Sequence, residues 1–287
     1  MPQENQTITL RPMLETDLPA AFGLSQQAQW PHRLEDWQQA GALGTGMIAE
    51  ANGEVVGCAL RWLWGEHRAT LGLVIVAEPY RGQGIARAML KRLMVPLADY
   101  QLHLVASDQG KPLYQQLGFI DLGPLAQHQC LALPPRNAEP LPKGLTLRPA
   151  LPQDIALLAE LDFAASGLQR QPLLVALLAS AEQALVLERQ GVAVGFALRR
   201  RFGYGCMIGP VVAPDMAGAM ALIDGLCQPC SGQFVRVDTP LSTGLSPWLK
   251  ERGLPCVDTP AMMVRGTPHR PDCHLAQTFA LVSQALS

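Results

Sequence analysis

The chain has 287 residues, of which 48% are hydrophobic and 16% charged, and its formal net charge is −2. This length exceeds the usual size of one domain, and the composition favours packed cores over disorder. The small net charge excludes the basic surface that non-specific binding to nucleic acid or anionic membranes requires. The first residues, MPQENQTITLRP, lack an apolar signal core, and no segment is long enough to span a bilayer. We therefore expect a soluble, cytoplasmic protein with no nucleic-acid or membrane partner.

The predicted elements of the first half alternate between strands and helices. They are a strand at 7–11, helices at 17–28 and 34–40, strands at 47–50, 55–62 and 71–76, a helix at 85–97, a strand at 102–105 and a helix at 111–117. Asn52-Gly53 predicts a two-residue hairpin turn, because both turn positions need positive φ. Leu90, Leu93 and Leu97 share a helical face, and Gly118 predicts the end of the last helix. The fold class is α/β with a mixed sheet.

The sequence repeats itself about halfway along. Three segments recur in the same order, 135 to 138 positions later: 9–12 at 146–149, 56–61 at 194–199, and 113–119 at 248–254. Ordered matches of this kind predict two homologous domains, which we place at 1–135 and 145–268. Four prolines between positions 134 and 144 predict a stiff linker at 136–144.

The last segment and the cysteines carry weaker patterns. One helical face would hold Leu275, Phe279, Val282 and Leu286, and this predicts a C-terminal helix at 269–287. The seven cysteines are scattered, which is typical of reduced thiols. Cys227 and Cys230 have the spacing of a redox motif but close a predicted helix, and no second pair completes a zinc site. We expect no bound metal.

The segment Arg81–Arg87 lies between a predicted buried strand and a predicted helix. Backbone N–H groups at a helix start have no intrahelical partners, and the helix dipole adds partial positive charge there. Gly82 and Gly84 carry no side chains, so phosphate oxygens can approach these N–H groups closely. Arg81 and Arg87 add charge-assisted contacts at the two ends. The segment therefore predicts a pyrophosphate site.

Three known phosphate-binding motifs are possible explanations for this segment. A dinucleotide fingerprint would need Gly or Ala where Arg87 stands, and no Gly-Lys-Ser or Gly-Lys-Thr supports a P-loop. The segment resembles instead the Arg/Gln-x-x-Gly-x-Gly/Ala motif of the GCN5-related N-acetyltransferase (GNAT) family, filled here by Arg81, Gly84 and Ala86. Residues 113–119, Leu-Tyr-Gln-Gln-Leu-Gly-Phe, resemble a second, later signature of that family. Together the two motifs extend the resemblance over most of residues 7–133.

The resemblance implies acetyl-CoA as the co-substrate, bound where the strand of residues 74–76 diverges from that of residues 102–105. The implied cofactor-binding residues are Val74, Ile75, Val76, Arg81, Gly82, Gln83, Gly84, Ile85, Ala86, Arg87 and Ser107. The strand residues would pair with the pantetheine arm as an added strand would. Tyr114 would be the general acid for the departing thiolate, or a hydrogen-bond donor to its sulfur. Ser107 stands where many relatives have asparagine, and its hydroxyl can still donate or accept a hydrogen bond with a shorter reach.

The acceptor and its general base are less visible in the sequence. The family takes acceptor specificity from its two early helices, here the stretch 30–37 with two tryptophans, although such tryptophans also pack in cores. Glu66 and His67 are candidate bases by position alone, although a solvated hairpin tip explains them better. We expect a small-molecule or peptide amine as the acceptor, and a monomer built as an intramolecular pseudo-dimer, or a homodimer.

The second repeat keeps the strand pattern but lacks the residues predicted to bind phosphate and to act in catalysis. Its counterpart of Arg81–Arg87 is 214–220, Pro-Asp-Met-Ala-Gly-Ala-Met, with no arginine and one glycine. Asp215 would cap the helix and repel a pyrophosphate. Leu249 or Trp248 replaces the tyrosine. We expect this domain to be degenerate and the chain to bind one CoA.

Three functions from different classes fit these observations to different degrees. The first is an N-acetyltransferase that transfers the acetyl group by direct attack in a ternary complex. The alternative is a non-catalytic acyl-CoA sensor that uses the same site without turnover. An oxidoreductase on a dinucleotide fold is the third, and it would bind a nicotinamide cofactor.

Overall fold

A computed structural model describes residues 7–137, 139–267 and 276–287. Its strands are β1 Ile8–Pro12, β2 Thr45–Ala51, β3 Glu54–Leu63, β4 Arg68–Val76, β5 Gln101–Ala106, β6 Ile120–Cys130, β7 Leu145–Pro149, β8 Ala181–Arg189, β9 Val192–Phe202, β10 Gly205–Ala213, β11 Val235–Pro240, β12 Cys256–Asp258, β13 Ala261–Arg265 and β14 Gln277–Ala280. Its helices are α1 Leu18–Gln27, α2 Leu34–Leu43, α3 Ile85–Met94, α4 Lys111–Gln116, α5 Ile155–Ser166, α6 Gln171–Ser180, α7 Met216–Cys227 and α8 Ser246–Glu251. The predicted α/β class is confirmed.

Local sequence signals explain most of these elements. Asn52 and Gly53 have φ of 51° and 82°, as the two-residue turn between β2 and β3 requires. Helix α3 gives way to a 3-10 turn at Val95–Leu97, because Pro96 lacks the N–H that an α-helix needs. Gly118, at φ 87°, follows α4 in the left-handed conformation that ends helices. No helix in the described part of the chain combines the length and apolar character that crossing a membrane requires.

One continuous sheet joins the two repeats. Its order is β1-β2-β3-β4-β5-β13-β6-β11-β10-β9-β8-β7. The last long strand of each repeat lies beside the fifth strand of the other: β13 pairs with β5, and β6 pairs with β11. Strands β13 and β6 also pair with each other at the centre. Residues 261–265, which belong to the predicted domain 145–268, therefore complete the sheet of the first repeat.

The hydrophobic cores also cross between the repeats. One buried cluster holds Trp37 and Trp62 of the first repeat together with Leu173 and Phe196 of the second. In another, Met263 on β13 packs among residues of the first repeat and is 1% exposed. Burying a side chain of this size contributes about 1.5–3 kcal/mol. Side chains of both repeats therefore share one hydrophobic core at their junction.

The final segment, 276–287, contains a strand and no helix, so the predicted C-terminal helix is wrong over these residues. The remainder of that prediction, 269–275, lies outside the described residues. Strand β14 pairs antiparallel with β10, at Val211–Ala213. This pairing satisfies the backbone of an edge that β11 leaves free, and it outweighs the helical spacing of the apolar side chains.

Two buried arginines hold the segment after β14. Arg170 donates to the carbonyl of Leu286 at 2.8 Å and forms a bidentate pair with Asp162 at 2.7 and 2.9 Å. Both side chains of that pair are 1% exposed. Arg200 donates to the carbonyl of Val282. These bonds fix residues 282–286 between the two repeats.

Candidate active site

An open strand edge lies at the centre of the first repeat. Strands β4 and β5 pair in parallel from Arg68 to Thr70, and no strand among the described residues pairs with Leu71–Val76 on the β5 side. A bulge in β4 accompanies this divergence, where the register against β3 shifts and Leu73 adopts φ 51°. Positive φ is uncommon for a non-glycine residue. The unpaired edge can accept an extended ligand chain as an additional strand.

The glycine segment lies between β4 and α3, in the conformation that an anion site needs. Gly82 and Gly84 both have φ 77°, and a Cβ at either position would meet no atom within 4 Å. Gly84 is the N-cap of α3, and no side chain caps this helix. The first N–H groups of α3 therefore face open space, with the positive end of the helix dipole behind them.

The flanking side chains of this segment are partly engaged with the protein. Arg81 donates from Nε to the carbonyl of Val76 at 3.0 Å, and Gln83 donates to the carbonyl of Pro79 at 3.4 Å. Arg87 donates to the side chain of Gln116. Ile85 is buried and Ala86 half-buried, so they anchor the helix start. Each guanidinium keeps further N–H groups for an anion, because it carries five donors.

Tyr114 on α4 reaches the diverging strands from the other side. Phe119 donates its N–H to the carbonyl of Tyr114 at 3.0 Å, and Gly118 donates to Gln115, which closes α4 and fixes the tyrosine. The rings of Tyr114 and Phe119 pack edge to face, 6.0 Å apart. Burial raises the pKa of Tyr114 to about 12, so its hydroxyl keeps its proton at neutral pH.

Ser107 follows β5 and begins the turn into α4. Its carbonyl accepts from the N–H groups of Gly110 and Lys111 at 3.0 and 2.9 Å, and its Oγ accepts weakly from Gly110 at 3.3 Å. The hydroxyl is thus available as a donor but is drawn towards its own turn. The side chain is exposed at the edge of the site.

A cavity of about 230 Å³ connects these elements to the second repeat. Val74, Ser107 and Tyr114 line it from the first repeat, and Phe202 and Arg236 line it from the second. The segment 283–285 forms a further part of its wall. A Cβ on Gly72 would lie 2.9 Å from the Cβ of Ala285, so only glycine admits the final segment at this place. The cavity is therefore formed by both repeats together with residues 283–285.

His32 is the imidazole of this cavity. Burial lowers its pKa to about 4, with Arg236 and Arg200 acting in the same direction and Asp36 opposing them. It is therefore neutral at pH 7. Its Nδ1 is buried and has no hydrogen-bond partner within the described ranges. The sequence indicates His32 only as part of the stretch 30–37, because nothing in the local pattern predicts its burial.

Of the other residues predicted on the acceptor side, one lines the cavity and another lies in the core. Trp30 lines the cavity, whereas Trp37 is fully buried and donates to Ser25 Oγ at 3.1 Å. Glu66 and His67 are exposed, next to the opposite end of β4, and do not line the cavity. A base at either position has no support from the geometry.

The second repeat differs at each corresponding feature. Asp215 caps α7, accepting from the N–H of Gly218 at 2.8 Å, where α3 has no cap. Leu249 occupies the tyrosine position, because Leu254 donates to its carbonyl at 3.0 Å as Phe119 does to Tyr114. The edge of Val211–Ala213, the counterpart of Val74–Val76, is covered by β14. This groove is closed by the chain itself.

Comparisons with known proteins agree with this architecture. A model described as "Acetyltransferase (GNAT) family" matches residues 10–119, and one described as "Acetyltransferase (GNAT) domain" matches residues 158–277. The chain is a tandem GNAT protein. The predicted family resemblance and the assignment as an acyltransferase are confirmed.

Individual relatives of this GNAT protein cover nearly its whole length. The Bacillus subtilis protein "Uncharacterized N-acetyltransferase YitH" is 27% identical over 271 residues, which are 92% of this chain and 93% of YitH. A crystal structure from Pyrococcus horikoshii, provisionally described as an acetyltransferase, has a TM-score of 0.79 at 20% identity and covers 99% of this chain and 97% of that one. A tandem GNAT protein from the clavulanic acid biosynthesis pathway has a TM-score of 0.63 at 14% identity, with coverages of 92% and 100%. The solved structures show that the tandem fold is shared.

Proposed function

We propose that this GNAT protein transfers the acetyl group of acetyl-CoA to an amine that enters the cavity between its repeats. The observation that carries this proposal is the convergence of three features on one groove: an open strand edge, an uncapped helix start and a buried tyrosine hydroxyl. The groove continues into the cavity of about 230 Å³, which gives an acceptor access from the opposite side. This arrangement supports direct transfer in a ternary complex.

The residues of the first repeat fit the co-substrate in chemistry and shape. Acetyl-CoA supplies an activated acetyl thioester together with a pyrophosphate and an amide-containing arm. The N–H groups from Gly82 to Arg87 would hold the pyrophosphate, because Gly82 and Gly84 leave open space in front of them. The free edge of Val74–Val76 would pair with the arm, with Ile75 directed to the core. A strand N–H there would polarise the thioester carbonyl.

The role of Tyr114 is best described as hydrogen-bond donation to the thiolate sulfur. Its pKa of about 12 keeps the proton on the hydroxyl. Complete transfer to a thiolate, whose ordinary pKa is about 8.5, would be unfavourable by a factor of about 10³. A donor that stabilises the developing negative charge lowers the barrier without giving up its proton. After the CoA thiolate has left, a proton from the solvent converts it into the thiol.

His32 is the candidate that receives the proton of the attacking amine. It is neutral at pH 7, its Nδ1 has no partner within the described residues, and it lines the same cavity as Tyr114. A base with a pKa of about 4 does not deprotonate a free ammonium group. It does accept a proton from the amine nitrogen once attack makes that nitrogen acidic. The acceptor must therefore have lost its ammonium proton before it attacks.

The proposal includes one co-substrate site per chain, no bound metal, and an intramolecular pseudo-dimer as the working unit. In the second repeat, Asp215 and β14 occupy the positions at which a pyrophosphate and a pantetheine arm would bind. Within residues 7–137, 139–267 and 276–287, no three His, Cys, Asp or Glu side chains come together as a metal site would need. The expectation of no metal stays a prediction.

Replacing Tyr114 by phenylalanine tests the proposal against a non-catalytic sensor. We expect kcat for thiol release with an amine panel to fall by about a hundredfold, the usual cost of losing one transition-state donor. The dissociation constant for acetyl-CoA should change by less than about threefold, because the hydroxyl acts on the leaving sulfur. Tyr100→Phe is the matched control, since Tyr100 packs against His67 away from the cavity. Acetyl-CoA binding without thiol release above hydrolysis for any amine would favour the sensor.

A further inference from the structure

We infer that the acceptor carries a carboxylate as well as its amine, and that Arg236 binds this carboxylate. The inference rests on the proposed function, because it names the class of amine that the same cavity accepts. Arg236 lies on β11, lines the cavity opposite the first repeat, and has a side chain that is 8% exposed.

The orientation of Arg236 leaves one edge of its guanidinium available. Nε and Nη2 donate to the two carboxylate oxygens of Asp238 at 2.8 and 2.7 Å. Nη1 has no partner in the part of the chain that the structure describes. A guanidinium is a planar fork with donors on two edges, so fixing one edge with Asp238 presents the other as a preformed site. Such an edge fits a carboxylate through two parallel hydrogen bonds.

A second cation, Arg200, lies beside the neighbouring pocket that shares His32 and Phe202 with this cavity, and no described carboxylate forms an ion pair with it. Arg200 is 3% exposed, and its Nε is buried without a hydrogen-bond partner there. Its guanidinium carbon lies 5.0 Å from the ring centre of Phe202, and that of Arg236 lies 5.8 Å from the same ring. Burial lowers the pKa of Arg200 to about 10, so it remains charged at pH 7. Asp238 pairs with Arg236 and Asp36 with Arg33, so Arg200 leaves this region with an excess positive charge.

An unpaired buried cation destabilises a fold unless a ligand or a partner balances it. An acceptor carboxylate on Arg236 would lie near Arg200 and supply the missing negative charge. At the rim of the cavity, Asp258 is exposed and uses Oδ1 to accept from the N–H of Thr259. Its carboxylate attracts amines to the mouth. The cavity therefore offers groups of opposite charge to the two ends of one amino-acid-like molecule.

The first experiment uses the unmodified protein. Matched pairs of amines are compared for thiol release from acetyl-CoA, each pair being a free amino acid and its carboxamide. We expect kcat/KM for the acid to exceed that for the carboxamide by about tenfold to a hundredfold, as for other hydrogen bonds to charged groups. Equal values for acids and carboxamides would overturn the inference while leaving acetyl transfer intact.

The second experiment removes the cation. Arg236→Gln should raise KM for the acids by about tenfold to a hundredfold and leave kcat and the carboxamides nearly unchanged. Because this change strips Asp238 of its cation, Arg236→Gln with Asp238→Asn is made alongside, and the thermal unfolding of both is recorded. Arg201→Gln is the matched control, since Arg201 is on β9 with a 75% exposed side chain. An unchanged KM for acids in a folded double variant would contradict the role of Arg236.

A binding measurement separates this inference from the proposed function. Calorimetry with N-acetylated amino acids, in the presence of CoA, reports on the cavity without turnover. Tighter binding of the N-acetyl acid than of its N-acetyl carboxamide, lost in the double variant, would support the carboxylate site even if no amine is acetylated. Equal binding of the two compounds would overturn it.

Discussion

The grooves of the two repeats are built from the same elements and differ in what fills them. In the first, Val74–Val76 has a free edge and α3 begins at an uncapped glycine. In the second, Val211–Ala213 pairs with β14 and α7 begins at Asp215, whose carboxylate satisfies the helix N–H groups. One groove keeps its backbone donors for a ligand, and the other has satisfied them with its own chain.

The comparison teaches how a duplicated domain changes role without losing its fold. A vacated ligand groove leaves unpaired backbone groups, and these cost free energy if they are buried. Here a strand and a carboxylate satisfy them. The same final segment continues past β14 to residues 283–285, which line the cavity of the first repeat. The segment that closes the groove of the second repeat thus also forms part of the cavity wall beside the first repeat.

The largest expected effect comes from releasing the final segment. Asp162→Ala leaves Arg170 charged and buried, so it should lower the free energy of unfolding by about 3–5 kcal/mol. The segment held by the Arg170–Leu286 hydrogen bond would no longer be fixed. The difference between the open groove and the closed groove would then be lost. Urea unfolding measures the loss.

A surface ion pair provides the control for this change. Asp121→Ala removes the partner of Lys111, whose pair is solvent-exposed, and should cost about 1 kcal/mol or less. Similar losses for Asp162→Ala and Asp121→Ala would show that the buried pair does not anchor the segment.

The next prediction makes the open groove resemble the closed one. Gly84→Asp places a carboxylate at the start of α3, as Asp215 does at α7, and should weaken acetyl-CoA binding by about tenfold to a hundredfold. Calorimetry measures the affinity. Gly53→Asp is matched for backbone conformation, since both glycines have positive φ and open space. Equal affinity in the two variants would argue against a pyrophosphate at α3.

A third prediction concerns the pH dependence of the cavity. His32 in the unfolded chain takes up a proton near pH 6.5, but in the folded protein only near pH 4. Its contribution to stability is therefore fully present above pH 6.5 and is lost as the pH falls towards 4. The upper limit is about 3 kcal/mol, and we expect about 1.5 kcal/mol because the ring is not completely buried. Parallel pH–stability curves for the protein and its His32→Gln variant would contradict the buried, neutral imidazole.

The smallest effect is expected from reopening the closed groove at one end. Asp215→Asn keeps a capping side chain but removes its charge, so stability should fall by only about 0.5–1 kcal/mol. Titration with acetyl-CoA should still find one site per chain, because β14 continues to cover the strand edge. A second site in this variant would show that charge alone had closed the groove.

The sequence predicted the parts of this molecule that depend on local chemistry. The hairpin at Asn52-Gly53, the end of α4 at Gly118 and the helix that begins after Gly84 follow from turn and cap preferences over a few residues. The glycine segment follows from the chemistry of anion binding, and Tyr114 follows from the family resemblance of residues 113–119. The structure brings Val74, Ser107 and Tyr114 to one cavity, and their roles stay predictions.

The parts that the sequence did not predict are those set by distant neighbours. The apolar spacing from Leu275 to Leu286 favoured a helix, but a free edge on β10 selected a strand for 277–280. No local pattern states that β13 crosses to β5, because strand order depends on which edges remain unpaired. The buried charges of Arg200 and Arg236 were equally hidden, since solvated strand ends have the same composition.

The exchange of β6 and β13 has a consequence for how the protein is made. A ribosome releases the chain from its N-terminus at about 5–20 residues per second, so β13 follows β5 by on the order of ten seconds. During that interval the exposed edge of β5 has no native partner and is open to pairing with other nascent chains. The first repeat can complete its sheet only when nearly the entire chain has emerged. We therefore expect slower translation to expose the edge of β5 for longer and to lower the yield of folded protein.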